Sequence, residues 1–369
     1  MIPVNRPAIS NQDIEFVSSV LRETYISGDT PIIKQMEENL ATTVGTKFAI
    51  AVNSGTSAID LVVEALGLDD NCEVVAPTFT IISTVSHLIR RKAKLKLVDS
   101  DEETWSMDSS KAADMITTST KAVIPVHIYG LPVDMDNIMS VTNQLDIPVI
   151  EDTAEALGLE YKGRKCGSIG RASTFSFYAN KIVTGGEGGA ICTSDAALDK
   201  KLRSLRNLCH SDTERFVHNE IGYNFRLPGL AAALIHNQLF RLPNLVQQKI
   251  AIAERYERNL AGHPWLKFHA TNTSFAKNIY WVFGIILNSE CPYDAKTLQG
   301  ILEQKGVGTR RFFCPIHLQP IAKDHIINIG DRFPVAENLW ARGLYLPSGL
   351  GNTNEEIDAV SEILWGMVK

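Results

Sequence analysis

Apolar and polar positions along this chain change period near its middle, and the change predicts two kinds of architecture. Before residue 195, seven short runs read as strands: Phe48–Asn53, Cys72–Pro77, Lys94–Ser100, Lys121–Gly130, Ile147–Asp152, Ser173–Tyr178 and Gly188–Ser194. Several are continuous apolar stretches, which suits strands covered on both faces. Amphipathic segments at Thr56–Gly67, Ile81–Arg91, Ser109–Ile116 and Asp134–Leu145 separate the early runs. Strand and helix in alternation predict an α/β fold built on a seven-stranded, mostly parallel sheet. Only about ten residues part the sixth and seventh runs. That is too short for a helical crossover, so this pair is predicted to be antiparallel.

From Gly229 the pattern turns helical, through Ala231-Ala-Ala-Leu-Ile-His-Asn-Gln-Leu239 and on to Leu260, with Pro243 expected to break or kink it. A smaller α+β region follows, with strand candidates at Trp281–Leu287, Val307–Phe313 and Gly343–Pro347 and helices at Asp294–Lys305 and Asn354–Met367. The expected division is a large domain over residues 1–245, with the N-terminal segment, and a small C-terminal domain over 246–369. No internal repeat or low-complexity segment is apparent.

Composition narrows the function classes. The 369 residues are 44% hydrophobic and 21% charged, ordinary for a soluble globular protein. A net charge of -6 and a pI near 5.9 argue against a nucleic-acid partner, which would call for a basic face. Met1-Ile-Pro-Val-Asn-Arg-Pro7 has no apolar core of a signal peptide, and no uncharged apolar run is long enough to span a membrane. The cysteines at 72, 166, 192, 209, 291 and 314 form no CxxC pair and no zinc spacing with histidine. Reduced thiols, a cytoplasmic location and no metal are the expectations.

Four pieces carry candidate chemistry. Lys181 follows a hydrophobic strand and precedes a glycine-rich turn, Gly185-Gly-Glu-Gly-Gly189. Burial at a strand end can lower a lysine pKa enough for its amine to attack a carbonyl, although most lysines are solvated surface charges. Ser176 lies five residues earlier and adds a hydroxyl. Asn53-Ser-Gly-Thr-Ser-Ala58 follows a strand and opens a helix. Its free N–H groups suit a phosphate, with Gly55 allowing close approach and Thr56 adding a hydroxyl; a plain Ser/Thr helix cap is the alternative. Asp152 ends an apolar strand, where a carboxylate meets the ligand crevice of an α/β sheet, or caps the next segment. Gly222-Tyr-Asn-Phe-Arg-Leu227 is a polar loop carrying Asn224 and Arg226, or simply a surface turn. Taken together, the four pieces suit one ligand with a phosphate, a ring nitrogen that wants a carboxylate and an aldehyde that wants a lysine. That ligand is pyridoxal 5'-phosphate.

At this point the chain resembles the DegT/DnrJ/EryC1/StrS family of fold-type-I, pyridoxal phosphate-dependent sugar aminotransferases. The resemblance runs over roughly residues 3–365. It is carried by Asn53-Ser-Gly-Thr56, Lys121-Ala-Val-Ile-Pro-Val-His-Ile-Tyr-Gly130, Asp134-Met-Asp136, Glu151-Asp152, Tyr161-Lys-Gly-Arg-Lys165, Phe175-Ser-Phe-Tyr178, Gly185-Gly-Glu-Gly-Gly189 and Gly222-Tyr-Asn-Phe-Arg226. Asn180-Lys-Ile182 and Arg311-Phe-Phe-Cys-Pro-Ile-His317 look most like the family's GDP-perosamine synthases.

The resemblance implies Lys181 as the Schiff-base lysine and proton shuttle, and Asp152 as the pyridine-nitrogen partner. Gly55, Thr56 and Ser176 would bind the phosphate, and Glu155 would sit near the ring hydroxyl. Asn224 would reach the phosphate of a neighbouring subunit, which implies a homodimer with shared sites. His127, Arg310, Arg311 and His317 are candidates for the sugar. Two stretches depart from the family pattern. Ile81 stands where many members stack an aromatic ring on the cofactor, and Arg215-Phe-Val-His-Asn-Glu220 replaces a Tyr- and Trp-rich stretch.

The implied reaction moves an amino group from L-glutamate to a keto or aldehydo sugar. A nucleotide-linked 4-keto-6-deoxyhexose destined for a surface polysaccharide, such as lipopolysaccharide O-antigen, is the first expectation. A UDP- or dTDP-ketohexose or an oxidised octulosonate is the alternative. Lys181 argues against a sugar dehydratase, and the lack of a DNA-binding region against a non-catalytic regulator.

Overall fold

In the computed structural model, which describes residues 1–211, 214, 216–218 and 220–368, the apolar runs before residue 195 become strands of two sheets. They are β1 (Phe48–Val52), β2 (Glu73–Pro77), β3 (Lys94–Val98), β4 (Thr120–Val123) and β5 (Ile150–Asp152), then the hairpin β6 (Glu160–Tyr161) and β7 (Arg164–Lys165), then β8 (Ala172–Ser176) and β9 (Gly189–Thr193). One sheet has the order β3-β2-β4, all parallel; the other has the order β1-β9-β8-β5. In the second sheet β5 and β8 are parallel, whereas β8–β9 and β9–β1 are antiparallel. Parallel bridges Val123–Val149 and Val126–Asp152 join the facing edges of the two sheets. Regular pairing over Lys121–Gly130 stops at β4, because Pro125 has no N–H to give to a ladder.

Helices cover this framework: α1 (Asn11–Arg22), α2 (Pro31–Val44), α3 (Gly55–Ala65), α4 (Ser83–Arg90), α5 (Ser109–Met115), α6 (Met135–Leu145), α7 (Ala196–Arg206) and α8 (Gly229–Leu239). Several start at a Ser or Asp whose side chain accepts a first-turn N–H, as at Ser54, Asp134 and Asp195. Helix α3 packs on β8, β9 and β1, and α2 lies between β1 and α8. The helical run breaks beside Pro243, as expected, between the end of α8 at Leu239 and the next helix. The proline stands in the first turn of α9 (Leu242–Asn259), where its missing N–H leaves no hydrogen bond unmade.

Beyond α9, the strands β10 (Leu266–Phe268), β11 (Phe283–Leu287), β12 (Arg310–Arg311) and β13 (Gly343–Leu346) form an antiparallel sheet of order β10-β11-β13-β12. Helices α10 (Ala295–Gln304) and α11 (Pro334–Arg342) pack on it, and α12 (Asn354–Gly366) packs against α9. The strand expected over Val307–Phe313 shrinks to Arg310–Arg311. Phe312 and Phe313 turn instead into an aromatic cluster around Tyr129, with centroids 4.8 and 5.5 Å from its ring.

The first residues cross to this C-terminal region. Ile2 exchanges backbone hydrogen bonds with Gly306 (2.7 Å) and Gly308 (2.8 Å), Ser348 donates to Val4, and Arg6 forks onto Glu356. Among the described residues, no helix is long and apolar enough to cross a membrane.

Candidate active site

The C-terminal ends of β5 and β8 and the N-terminus of α3 converge on one cavity of about 260 Å³. Seven of the candidate site residues line it: Gly55, Thr56, Asp152, Glu155, Ser176, Lys181 and Arg310. Arg310 reaches it from β12, and Trp281, Phe313 and Tyr345 close it from the C-terminal region. Ile81 also forms part of the wall and is 45% exposed, so an apolar branch stands at the cavity mouth.

At the start of α3, the Ser54 hydroxyl caps the Ser57 N–H at 3.0 Å. A Cβ on Gly55 would come within 2.9 Å of the Ser176 Cβ, so only glycine lets the helix start lie against the end of β8. Thr56 Oγ1 donates to Ser83 Oγ at 3.1 Å. Three hydroxyls, those of Thr56, Ser83 and Ser176, therefore face the positive end of a helix in one wall of the cavity.

The same cavity also holds charge. Asp152 is 3% exposed, and its carboxylate accepts from the Thr84 hydroxyl (2.9 Å) and the Ala154 N–H (3.2 Å). Burial outweighs these donors and raises its pKa. Glu155 accepts from the Tyr129 N–H at 2.9 Å, and burial pushes it up to about 7. Lys181 lies in the turn after β8, with Nζ 3.8 Å from Glu155 Oε1, and burial lowers its pKa against the opposing pull of Glu155 and Asp152. Both partners of this pair are driven toward their neutral forms. An amine held that way can act as a nucleophile or carry a proton.

Other sequence candidates lie elsewhere. His127 is fully buried; its Nε2 faces Glu151 at 3.2 Å and its Nδ1 accepts from the Val133 N–H at 3.1 Å, so no ring nitrogen is left for a ligand. Arg311 donates to the Trp340 carbonyl and stacks on that indole. His317 is held by Thr78 (2.7 Å) and Glu337 (3.3 Å). None of the three lines the cavity. Asn224 is exposed and bridges to Asn207, away from the cavity of its own chain. Of the stretch from Arg215 to Glu220, Arg215 and Asn219 lie outside the described residues, and Phe216 and Val217 are exposed.

Sequence reading missed Ser83, Thr84 and Trp281. Ser83 and Thr84 had a local signal, as hydroxyls at a helix start after a strand. Trp281 had none, because it comes from the far side of the chain.

The donor set fits pyridoxal phosphate. A helix start stripped of a side chain and ringed by hydroxyls suits the phosphate. A buried carboxylate with few donors of its own suits a protonated ring nitrogen, and a buried amine whose pKa is lowered suits the carbonyl. Such a cavity defines a pyridoxal phosphate-dependent aminotransferase. The chain matches the DegT/DnrJ/EryC1/StrS aminotransferase family over residues 7–365 and belongs to it. It is a sugar aminotransferase with pyridoxal 5'-phosphate as cofactor. The GDP-perosamine synthase of Escherichia coli O157:H7 is 33% identical over 361 residues, covering 98% of this chain and 97% of that protein. The GDP-perosamine synthase of Caulobacter vibrioides is 34% identical, covering 97% and 96%. The solved structure of the putative sugar aminotransferase Spr1654 from Streptococcus pneumoniae, in its PLP form, superposes with a TM-score of 0.89 at 25% identity, covering 98% of this chain and 97% of that one.

Proposed function

We propose that this enzyme transfers the amino group of L-glutamate to a nucleotide-linked 4-keto-6-deoxyhexose of the perosamine type, for a surface polysaccharide such as an O-antigen. The observation that carries this reading is the Lys181 amine, 3.8 Å from Glu155 in the cavity that also holds Asp152 and the start of α3. The likeness to two GDP-perosamine synthases along nearly the whole chain supports the sugar. When bound, pyridoxal phosphate supplies a carbonyl for the amino group and a ring that takes up electrons. Gly55, Thr56, Ser83 and Ser176 bind the phosphate. Asp152 holds the proton at the ring nitrogen. Lys181 moves a proton at the substrate carbon, with Glu155 as its charge partner, and Arg310 meets the sugar side.

The same reading includes a cytoplasmic homodimer in which Asn224 serves the partner's site, in keeping with its exposure away from its own cavity. It takes the two bridged sheets as one seven-stranded layer and divides the chain near residue 245. The test is a glutamate half-reaction followed by absorbance, then a panel of keto sugars. Amination of a GDP-4-keto-6-deoxyhexose alone is the expected result. Turnover with only UDP- or dTDP-linked sugars would sink the substrate assignment, and failure with glutamate would sink the donor.

A further inference from the structure

Trp281 stands just ahead of β11, yet its indole lies against the reactive lysine. Lys181 Nζ is 3.7 Å from the ring centroid. The indole Nε1–H donates at 3.0 Å to the carbonyl of Asn180, one residue before the lysine. Asn5, from the segment that crosses to the C-terminal region, takes the preceding carbonyl, that of Ala179, at 3.3 Å. Trp281 is itself only 4% exposed and packs on Tyr129 at 5.9 Å between centroids, so the ring cannot swing clear.

We propose that Trp281 is a positioning residue for the Lys181 amine: its ring face fixes one side of the ammonium group, and its N–H fixes the backbone that carries it. A lysine has a flexible four-carbon stem and many rotamers. Here the ring blocks one flank, Glu155 holds the other, and the amine is left facing the cavity. The ionisable groups around it are Glu155 and Asp152 after β5, Tyr178 and Glu187 flanking its own turn, and Arg310 and Tyr345 from the C-terminal sheet. The ring's negative face favours the charged amine, as do Glu155 and Asp152, while burial favours the neutral one. Taking away the π face without admitting water therefore tips the amine toward neutrality.

The inference rests on Lys181 being the reactive amine of the aminotransferase. In the full-length protein freed of cofactor, Lys181 is labelled with a small amine-selective reagent across a pH series and quantified by peptide mapping. Trp281→Leu keeps the site apolar and removes the ring; it should lower the labelling midpoint by about half to one pH unit. Trp281→Phe keeps a ring face and should hold the midpoint within a small fraction of that shift. In the holoenzyme, Trp281→Leu should lower kcat about tenfold with the KM for glutamate little changed, and Trp281→Phe should recover most of the loss. If Trp281→Leu does not fold, replacing the five tryptophans with a heavily fluorinated analogue preserves shape and reverses the ring's electrostatics, and the same downward shift is expected. An unchanged midpoint with the leucine variant or the analogue overturns the role. A borohydride adduct mapping to another lysine would overturn the assignment of Lys181 instead, so the two failures are distinct.

Discussion

Glu151 and Asp152 are neighbours at the end of β5, equally buried, and they have opposite fates. Glu151 is held by three backbone N–H groups, of Gly167 (2.8 Å), Ile169 and Gly170 (both 2.7 Å), and by His127. Burial would raise its pKa, but His127 and these donors prevail and hold it low. Asp152 points to the other face of the strand, has two donors, and is raised. A buried carboxylate whose valences are filled from its own chain is a fixture of the fold. One left short of donors in a cavity is ready for a ligand. Alternation along a strand puts both kinds one residue apart.

The contrast can be broken first at the amine that faces Asp152. Lys181→Ala should cut turnover by about four orders of magnitude, since covalent capture and proton transfer are lost together. Borohydride reduction of the native holoenzyme should leave the cofactor attached to Lys181 in a mapped peptide. Asp152→Asn should fold normally and slow the glutamate half-reaction about a thousandfold, lowering kcat and kcat/KM in parallel. A near-normal kcat would remove Asp152 from the chemistry.

Glu151→Gln should do the reverse. It should cost about 3 kcal/mol of stability, because donors arranged for an anion meet a neutral amide, while the folded fraction turns over within about twofold of native. Thermal melts and active-site titration together would separate the two effects. Arg310→Gln should weaken the sugar half-reaction about tenfold through KM and spare the glutamate half-reaction. His317→Asn, outside the cavity, should change neither.

The smallest effect concerns a buried lysine with no ion-pair partner among the described residues. Lys249 in α9 is 3% exposed and donates to the Ser348 carbonyl; burial lowers its pKa to about 7 from the ordinary 10.5. Between those values the unfolded chain holds a proton that the folded chain has released, so stability rises with pH. Measured against Lys249→Met, the native protein should therefore gain a few degrees in Tm as pH rises from 7 to 10. A constant difference would mean that Lys249 keeps its charge when folded.

Much of the site was legible because its parts are local. Lys181, Asp152 and Gly55 each sit where an apolar run meets a turn, and period two marks such ends. Their partners were not legible. Thr84 reaches Asp152 across 68 positions, and Trp281 reaches the carbonyl of Asn180 across 101. His127 shows the converse error: a histidine in a matching motif whose ring is consumed by packing. Four helices, α1, α2, α7 and α11, have no counterpart in the sequence reading, and two of them show plain signals. Pro31 and Gly45 bracket α2, whose buried Ile32, Ile33, Met36, Leu40 and Val44 keep helical spacing, and Asp195 caps α7 ahead of Leu198, Leu202 and Leu205. The shrinkage of the Val307–Phe313 strand to two residues had no local sign, since its phenylalanines are claimed by a tyrosine from another part of the chain.

The strap formed by Ile2 to Arg6 has a consequence for synthesis on the ribosome. Its partners, Gly306, Gly308, Ser348 and Glu356, are translated roughly 300 residues after it. The sheets around β5 and β8 can assemble while translation continues, as N-terminal units commonly do. The Asn5 contact to Ala179 belongs to a strap that is anchored only once those partners emerge. A nascent chain thus carries Lys181 well before the C-terminal region that holds the strap has been made.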